Sequence, residues 1–203
     1  MLSDGTEPRG EEAARAVVER AGRDLGVRLR ELRLAAGLSL KALAERLGIS
    51  VSAVSQIERG AMQPSVGRLI ALVDALGVPL SAVFDQGGPA PVETAVVRVR
   101  ESAPVVLEGG VLFRRLAPRP LDAVDFFEST YPPGSTSTAH RQLLRHDGFE
   151  MGTVTLGELT IEFEDETVVL GAGDAITFPC ERPHRMMNTG ASTAVATWLI
   201  VHR

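Results

Sequence analysis

Leu43-Ala-Glu-Arg-Leu-Gly48-Ile-Ser50-Val51-Ser-Ala-Val54-Ser-Gln-Ile57-Glu-Arg59-Gly60 is the stretch that decides the fold. Leu40, Leu43, Ala44 and Leu47 keep the spacing of one helix face, which predicts a helix over 40–47. A second helix is predicted over 51–59, with Val54 and Ile57 pointing inward beside Ile49, Leu43 and Leu47. Only Gly48, Ile49 and Ser50 separate the two, a turn too short for anything but a steep crossing. The pattern is that of a helix-turn-helix. Its second helix would turn outward Val51, Ser52, Ser55, Gln56 and Arg59, a short, polar face without acid.

Working outward, Gly37-Leu-Ser39, Gly48-Ile-Ser50, Gly60, Pro64-Ser65, Gly77 and Ser81 punctuate residues 24–84 densely enough to predict five short helices. Each serine stands where its oxygen can cap orphan amides, and each glycine where a left-handed residue can end a helix. Residues 23–85 carry eight basic and six acidic side chains, whereas 86–203 carry ten and fifteen, so the basic part of a chain of net charge −5 is the helical one. The excess is modest, and phosphate neutralisation dominates affinity for nucleic acid, so one copy should bind weakly and a homodimer on two half-sites is expected. Residues 1–22 are expected to form an N-terminal arm, with a helical extension over 11–22.

The residues Leu29-Arg-Glu-Leu-Arg33, Gly37-Leu-Ser39, Leu43-Ala-Glu-Arg-Leu-Gly48, Val54-Ser-Gln-Ile-Glu-Arg-Gly60, Pro64-Ser65 and Ala75-Leu-Gly77 resemble the lambda-repressor-like, or Xre, helix-turn-helix family in order and spacing. The resemblance covers essentially all of 24–84. It implies that helix three enters the major groove of an operator, with Val51, Ser52 and Gln56 at base edges and Ser50 and Ser55 beside them. Glutamine can pair bidentately with adenine, and valine can cover a thymine methyl. Ser39, Lys41 and Arg59 would hold phosphates, which position without specifying.

Beyond a Gly- and Pro-rich linker at 86–95, the hydrophobic period falls to two. Strands are expected at 97–100, 111–116, 126–131, 150–156, 160–164, 175–178, 184–188 and 193–201, an all-β domain over 96–203. Within it His146, Glu150 and Gly157, then Gly173, Pro179, His184 and Asn188, resemble the two motifs of the cupin family. Leu144 replaces that family's first histidine, and Glu181 its motif-two glycine. His140, six residues after Gly134, marks a second possible register, but Gln142 follows where its partner histidine should stand. The resemblance implies a double-stranded β-helix barrel that holds a ligand. Two imidazoles and a carboxylate from His146, Glu150 and His184 suit a single divalent metal, Fe, Mn, Ni or Zn, and a metal-free pocket is the alternative. Leu144, Met186 and Asn188 are expected at that pocket, with Cys180 at its mouth. His202 reads as a solvated terminal residue, and Glu162, Glu164, Asp165 and Glu166 as a solvated hairpin tip.

The composition, 44% hydrophobic and 23% charged, excludes disorder and fibrous repeats. No apolar run approaches the ~20 residues of a membrane helix, no secretory leader is legible, and one cysteine allows no internal disulfide. The expected location is cytoplasmic. Two functions follow. The first is a DNA-binding regulator whose barrel senses a small-molecule effector. The second is a non-haem iron oxidase of the hydroxypropylphosphonate epoxidase type, which also sets helices before a cupin; Arg114, Arg115 or Arg185 could then clamp substrate. The reader face of helix three, which an enzyme would not need, favours the regulator.

Overall fold

The computed structural model describes residues 23–84, 95–99, 102–118, 121, 123–139 and 142–202. The expected arm at 1–22, most of the linker at 86–95, and His140 lie outside the described residues. The helical domain holds α1, described over 23–35, α2 (Leu40–Leu47), α3 (Val51–Glu58) and α4 (Val66–Leu76). Ser39 Oγ accepts from the Ala42 amide, Ser50 Oγ from Ala53 and Ser65 Oγ from Arg68, so each helix after α1 starts on a serine cap. Gly48 and Gly77 end α2 and α4 at φ 62° and 68°, a region that favours glycine.

Four α-helices form where five were expected. The fifth segment, Leu80–Phe84, is a 3-10 helix. Pro79 offers its carbonyl to Ala82 in a three-residue bond, and the Leu80 and Ser81 amides donate to the Asp125 carboxylate at 3.1 and 2.8 Å. These first-turn amides have no partner inside a helix, so the carboxylate caps the turn and ties it to the neighbouring domain.

Leu29, Leu43, Val54, Ile57, Leu69 and Leu72 form the helical core, each 2% exposed or less. Beside it Arg33 of α1 forks onto Glu58 at the end of α3, Nε to Oε1 at 2.6 Å and a terminal nitrogen to Oε2 at 2.9 Å. A third guanidinium bond, 2.7 Å to the Leu38 carbonyl, pins the turn before α2. Both side chains are buried, so each charge depends on the other.

The β domain holds β1 (Val105–Val106), β2 (Leu112–Arg115), β3 (Val124–Tyr131), β4 (Phe149–Leu156), β5 (Glu158–Phe163), β6 (Thr167–Gly171), β7 (Ala175–Pro179), β8 (His184–Met187) and β9 (Ala194–Val201). They pair as a six-stranded sheet in the order β1-β2-β3-β9-β4-β7 and a three-stranded sheet in the order β6-β5-β8. Alternate residues face inward: Phe127, Ser129 and Tyr131 on β3, Ala196, Trp198 and Ile200 on β9, Ile161 and Phe163 on β5. Gly152 sits where a side chain would strike the Trp198 ring, at 2.2 Å from its nearest carbon.

Three expectations are corrected. The two sheets do not close into a barrel: the segment beside β8 meets it at isolated bridges, Thr136 to Met187 and Leu144 to His184, with backbone bonds from Gly134, Ser137 and Leu144 but no continuous strand among the described residues. No strand forms over 97–99. Val96 and Val99 are 63% and 71% exposed, and alternation without a pairing strand makes no sheet. β6 and the short β1 were not anticipated; Thr167-Val-Val-Leu170 carries no alternation to mark it.

The two domains are in contact. The Gly67 amide at the start of α4 donates to the Ser137 carbonyl (2.8 Å), and the Glu108 amide to the Pro64 carbonyl (3.0 Å). Asp125 of β3 receives Leu80 and Ser81 from one side and His202 Nε2, 2.8 Å away, from the other. His202 is therefore no free terminal side chain; it braces the carboxylate that joins the domains.

Candidate functional site

On the helical side, Ser39, Lys41, Ser50, Val51, Ser52 and Arg59 are exposed, and Ser55 and Gln56 are half-buried. The serine hydroxyls at 39 and 50 already accept cap bonds, which leaves each O–H to donate. Gln56 Nε2 donates to Ser52 Oγ at 3.2 Å, which stiffens both side chains along α3. Lys41 Nζ lies 3.9 Å from Glu45, an exposed pair that phosphate can displace at little cost.

In the β domain, β4 supplies Glu150, β8 supplies His184, and the loop before β4 supplies His146. Their potential ligand atoms all lie within 4.8 Å of one another. Glu150 Oε2 stands 3.5 Å from His184 Nε2 and 3.9 Å from His146 Nε2, distances too long for strong hydrogen bonds. Both Nε2 atoms are buried without a hydrogen-bond partner. Each Nδ1 approaches a carbonyl, His184 that of Arg182 at 2.8 Å and His146 that of Asp147 at 3.2 Å. Donation from Nδ1 fixes the tautomer and turns the Nε2 lone pairs toward Glu150. Burial foremost, against the pull of the Glu150 charge, holds the His146 pKa below the ordinary histidine range, so its ring stays neutral and able to bind a cation. The donor set fits a divalent ion, and the triad could hold one.

The cavity beside the triad is lined by Val66, Ile70, Phe113, Phe127, Ser137, Leu144, Glu150, His184 and Met186, with a volume of about 10 Å³. Leu144 and Met186 stand there. Asn188 does not: its amide nitrogen donates to the Tyr131 and Ser192 carbonyls and its oxygen accepts from Gly190, so the side chain fastens a turn. Cys180 is wholly buried and not at a mouth, and burial, then the Glu150 and Glu181 charges, drives its thiol pKa far above the ordinary range. Tyr131, also buried, points its hydroxyl at Met186 Sδ, 3.6 Å away.

Of the arginines considered as a clamp, Arg114 pairs with Glu128 and Arg185 with Glu162, while Arg115 has one buried terminal nitrogen without a hydrogen-bond partner. Glu162 thus leaves the solvated tip, while Asp165 and Glu166 pair with Arg182 there. Arg185 also borders a wider, open depression of about 380 Å³ with Glu108, Ser135, Thr136 and Thr138. The wall residues Val66 and Ile70 were missed because they belong to the helical domain; the signal was α4 itself, whose run Val-Gly-Arg-Leu-Ile-Ala-Leu-Val-Asp-Ala-Leu is apolar on more than one side.

Known proteins agree with this architecture. A helix-turn-helix family model matches residues 29–83, and a cupin-domain model matches residues 127–200. The HTH-type transcriptional regulator PuuR of Escherichia coli K12 is 32% identical over 167 residues, covering 82% of this chain and 88% of its own. The regulator SutR of the same organism is 28% identical over 181 residues, 87% of this chain and 93% of its own. A crystal structure of a helix-turn-helix transcriptional regulator from Vibrio cholerae superposes with a TM-score of 0.66 at 21% identity, covering 91% of this chain and 98% of that one, which shows the shared fold. The chain accordingly belongs to the HTH-type transcriptional regulators of the PuuR and SutR kind, an Xre-type helix-turn-helix domain followed by a cupin domain.

Proposed function

We propose that the chain is a sequence-specific regulator that binds a two-fold operator as a homodimer and answers a small-molecule effector in its cupin cavity. The observation that carries the reading is the pairing of an exposed, acid-free α3 face with a buried polar triad that the helical fold does not need. Val51, Ser52, Ser55 and Gln56 read base edges, while Ser39, Lys41, Ser50 and Arg59 hold the backbone. His146, Glu150 and His184 would hold one divalent metal, which supplies a Lewis-acidic anchor for an oxygen or nitrogen of the effector. The residues of this chain do the rest: the Arg182 and Asp147 carbonyls keep the imidazoles aimed, and Phe113, Phe127, Leu144 and Met186 exclude water from the site.

One observation favours the oxidase as a second reading: two histidines and one glutamate gather on a single buried centre, as such iron sites require. Against it stand curated relatives that are transcriptional regulators. Footprinting on the DNA upstream of the chain's own coding region tests the proposal. Two protected half-sites about 34 Å apart are expected. Protection no better than on random DNA, together with oxygen-dependent turnover on iron(II), would promote the oxidase.

A further inference from the structure

The cavity beside the triad is walled from two domains. Glu150 and His184 line it with Phe113, Phe127, Leu144 and Met186 from the β side, and Val66 and Ile70, one turn apart on α4, close it from the helical side. At about 10 Å³ it has room for one water at most. We propose that α4 is the lid of this cavity and the carrier of the helix-turn-helix, so that an effector enters by lifting the DNA reader off the cupin domain. The proposal rests on the reading of the cavity as the effector site and adds how occupancy reaches DNA.

The seam under α4 is built for close approach and modest strength. Gly67 lets the first turn settle on the 137–138 segment: a Cβ there would stand 2.9 Å from Thr138 Cγ2 and 3.5 Å from Leu144 Cδ1. Among the described residues the polar links across the seam are few: the Gly67 amide to Ser137, the Glu108 amide to Pro64, and the Leu80 and Ser81 amides on Asp125. A contact held by few bonds opens locally without global unfolding.

The reader side is tied through a shared core, Leu69 and Leu72 of α4 packing among Leu29, Leu43, Val54 and Ile57, and through further polar links. Arg46 of α2 donates to the Ala75 carbonyl at the end of α4 (2.8 Å), Arg68 of α4 to the Leu47 carbonyl (3.4 Å), and Arg28 of α1 to the Ala82 carbonyl (2.9 Å). Lifting α4 therefore moves α2 and α3 with it. If two copies are joined through their β domains, that motion changes the separation of their α3 helices, and half-site spacing is what such a dimer reads. An effector that fills the opened cavity binds only the lifted state, the differential affinity that coupling requires.

The test places a thiol on the cavity wall of the full chain. Ser137 is 2% exposed and lines the cavity; buried Cys180 serves as an internal control for global unfolding. Iodoacetamide labelling of Ser137→Cys, with the two thiols read separately by mass spectrometry, is compared with the same protein carrying Gly67→Ala, which wedges the seam, or Asp125→Ala, which unties the 3-10 turn. The lid predicts at least a tenfold faster Ser137→Cys reaction in both, with Cys180 unchanged. Equal rates in all three would place the opening elsewhere, and acceleration shared with Cys180 would show unfolding; either overturns the lid. Should Ser137→Cys not fold, amide exchange in the unaltered protein decides: Gly67 and Ser81 should exchange far faster than Val54, and equal protection overturns the proposal. A parallel titration of Gly67→Ala with the upstream DNA keeps the two readings apart. If the unaltered chain fails to bind that DNA, the regulator reading falls while labelling still reports on the lid; labelling that rises with DNA affinity unmoved leaves the regulator intact and removes the link to the reader.

Discussion

Truncating Glu58 to alanine should be among the most damaging single changes in the helical domain. The Glu58→Ala protein leaves the Arg33 guanidinium, 6% exposed, facing a void where two bonds of 2.6 and 2.9 Å stood. Its remaining bond to the Leu38 carbonyl satisfies a donor but balances no charge. Removing one partner of a buried pair costs about 3–5 kcal/mol, a large share of the roughly 5–15 kcal/mol that holds a domain folded. For a chain of this size that lowers Tm by roughly 6–20 °C. Circular dichroism melts and urea titrations measure it, and the companion Arg33→Met/Glu58→Leu sharpens it. Because the pair repays much of its gain in desolvation, the double variant should lie within about 1 kcal/mol of the unaltered protein or above it. A loss under about 1 kcal/mol for Glu58→Ala, or a double variant as unstable as the single, would refute the claim that an orphaned charge sets the cost.

Four other outcomes are expected. Lys41→Ala should weaken specific and random DNA alike and flatten the salt slope by about one unit per site, read by titration at several salt concentrations. His184→Ala, which removes a buried imidazole whose Nε2 has no hydrogen-bond partner, should abolish stoichiometric divalent metal in protein purified without chelator while keeping its fold, at a lowered melt from the cavity left among Phe178 and His146; retained metal would mean other ligands. Cys180, buried and with its thiol pKa driven up, should resist iodoacetamide at pH 8 in the native state, and labelling at the rate of an unfolded thiol would show that the β-domain core is not folded around it. Sedimentation should find a dimer at micromolar concentration, and a monomer both free and on DNA would break the two-half-site account.

Much of the helical domain was legible because its punctuation is local. Ser39, Ser50 and Ser65 cap the helices they precede, and Gly48 and Gly77 end α2 and α4, as their positions implied. Most strands followed from alternation, and the grouping of His146, Glu150 and His184 from their resemblance to the cupin motifs, since no local pattern joins residues so far apart in sequence. What stayed hidden depends on partners distant in sequence. Val97 and Val99 alternate like a strand yet find none to pair with, and Asp125 looks like any polar residue on β3 until the Leu80 and Ser81 amides arrive from 45 and 44 residues away. Val66 and Ile70 read as bundle core, although α4 has apolar residues on a second side that needed a neighbour. A fifth helix was expected after Gly77 from punctuation alone, and the segment there forms a 3-10 turn capped by a carboxylate of the other domain.

The central claim, that α3 reads sequence, is tested most directly by fluorescence anisotropy at fixed salt, comparing a duplex from the chain's own upstream region with a scrambled duplex of the same length, for the unaltered protein and for Gln56→Ala. The account predicts that the unaltered chain prefers the upstream duplex by about a thousandfold or more. Gln56→Ala should lose about 1–3 kcal/mol on that duplex and nothing on the scrambled one, since a base contact is absent from the latter. Equal losses on both duplexes would contradict the account.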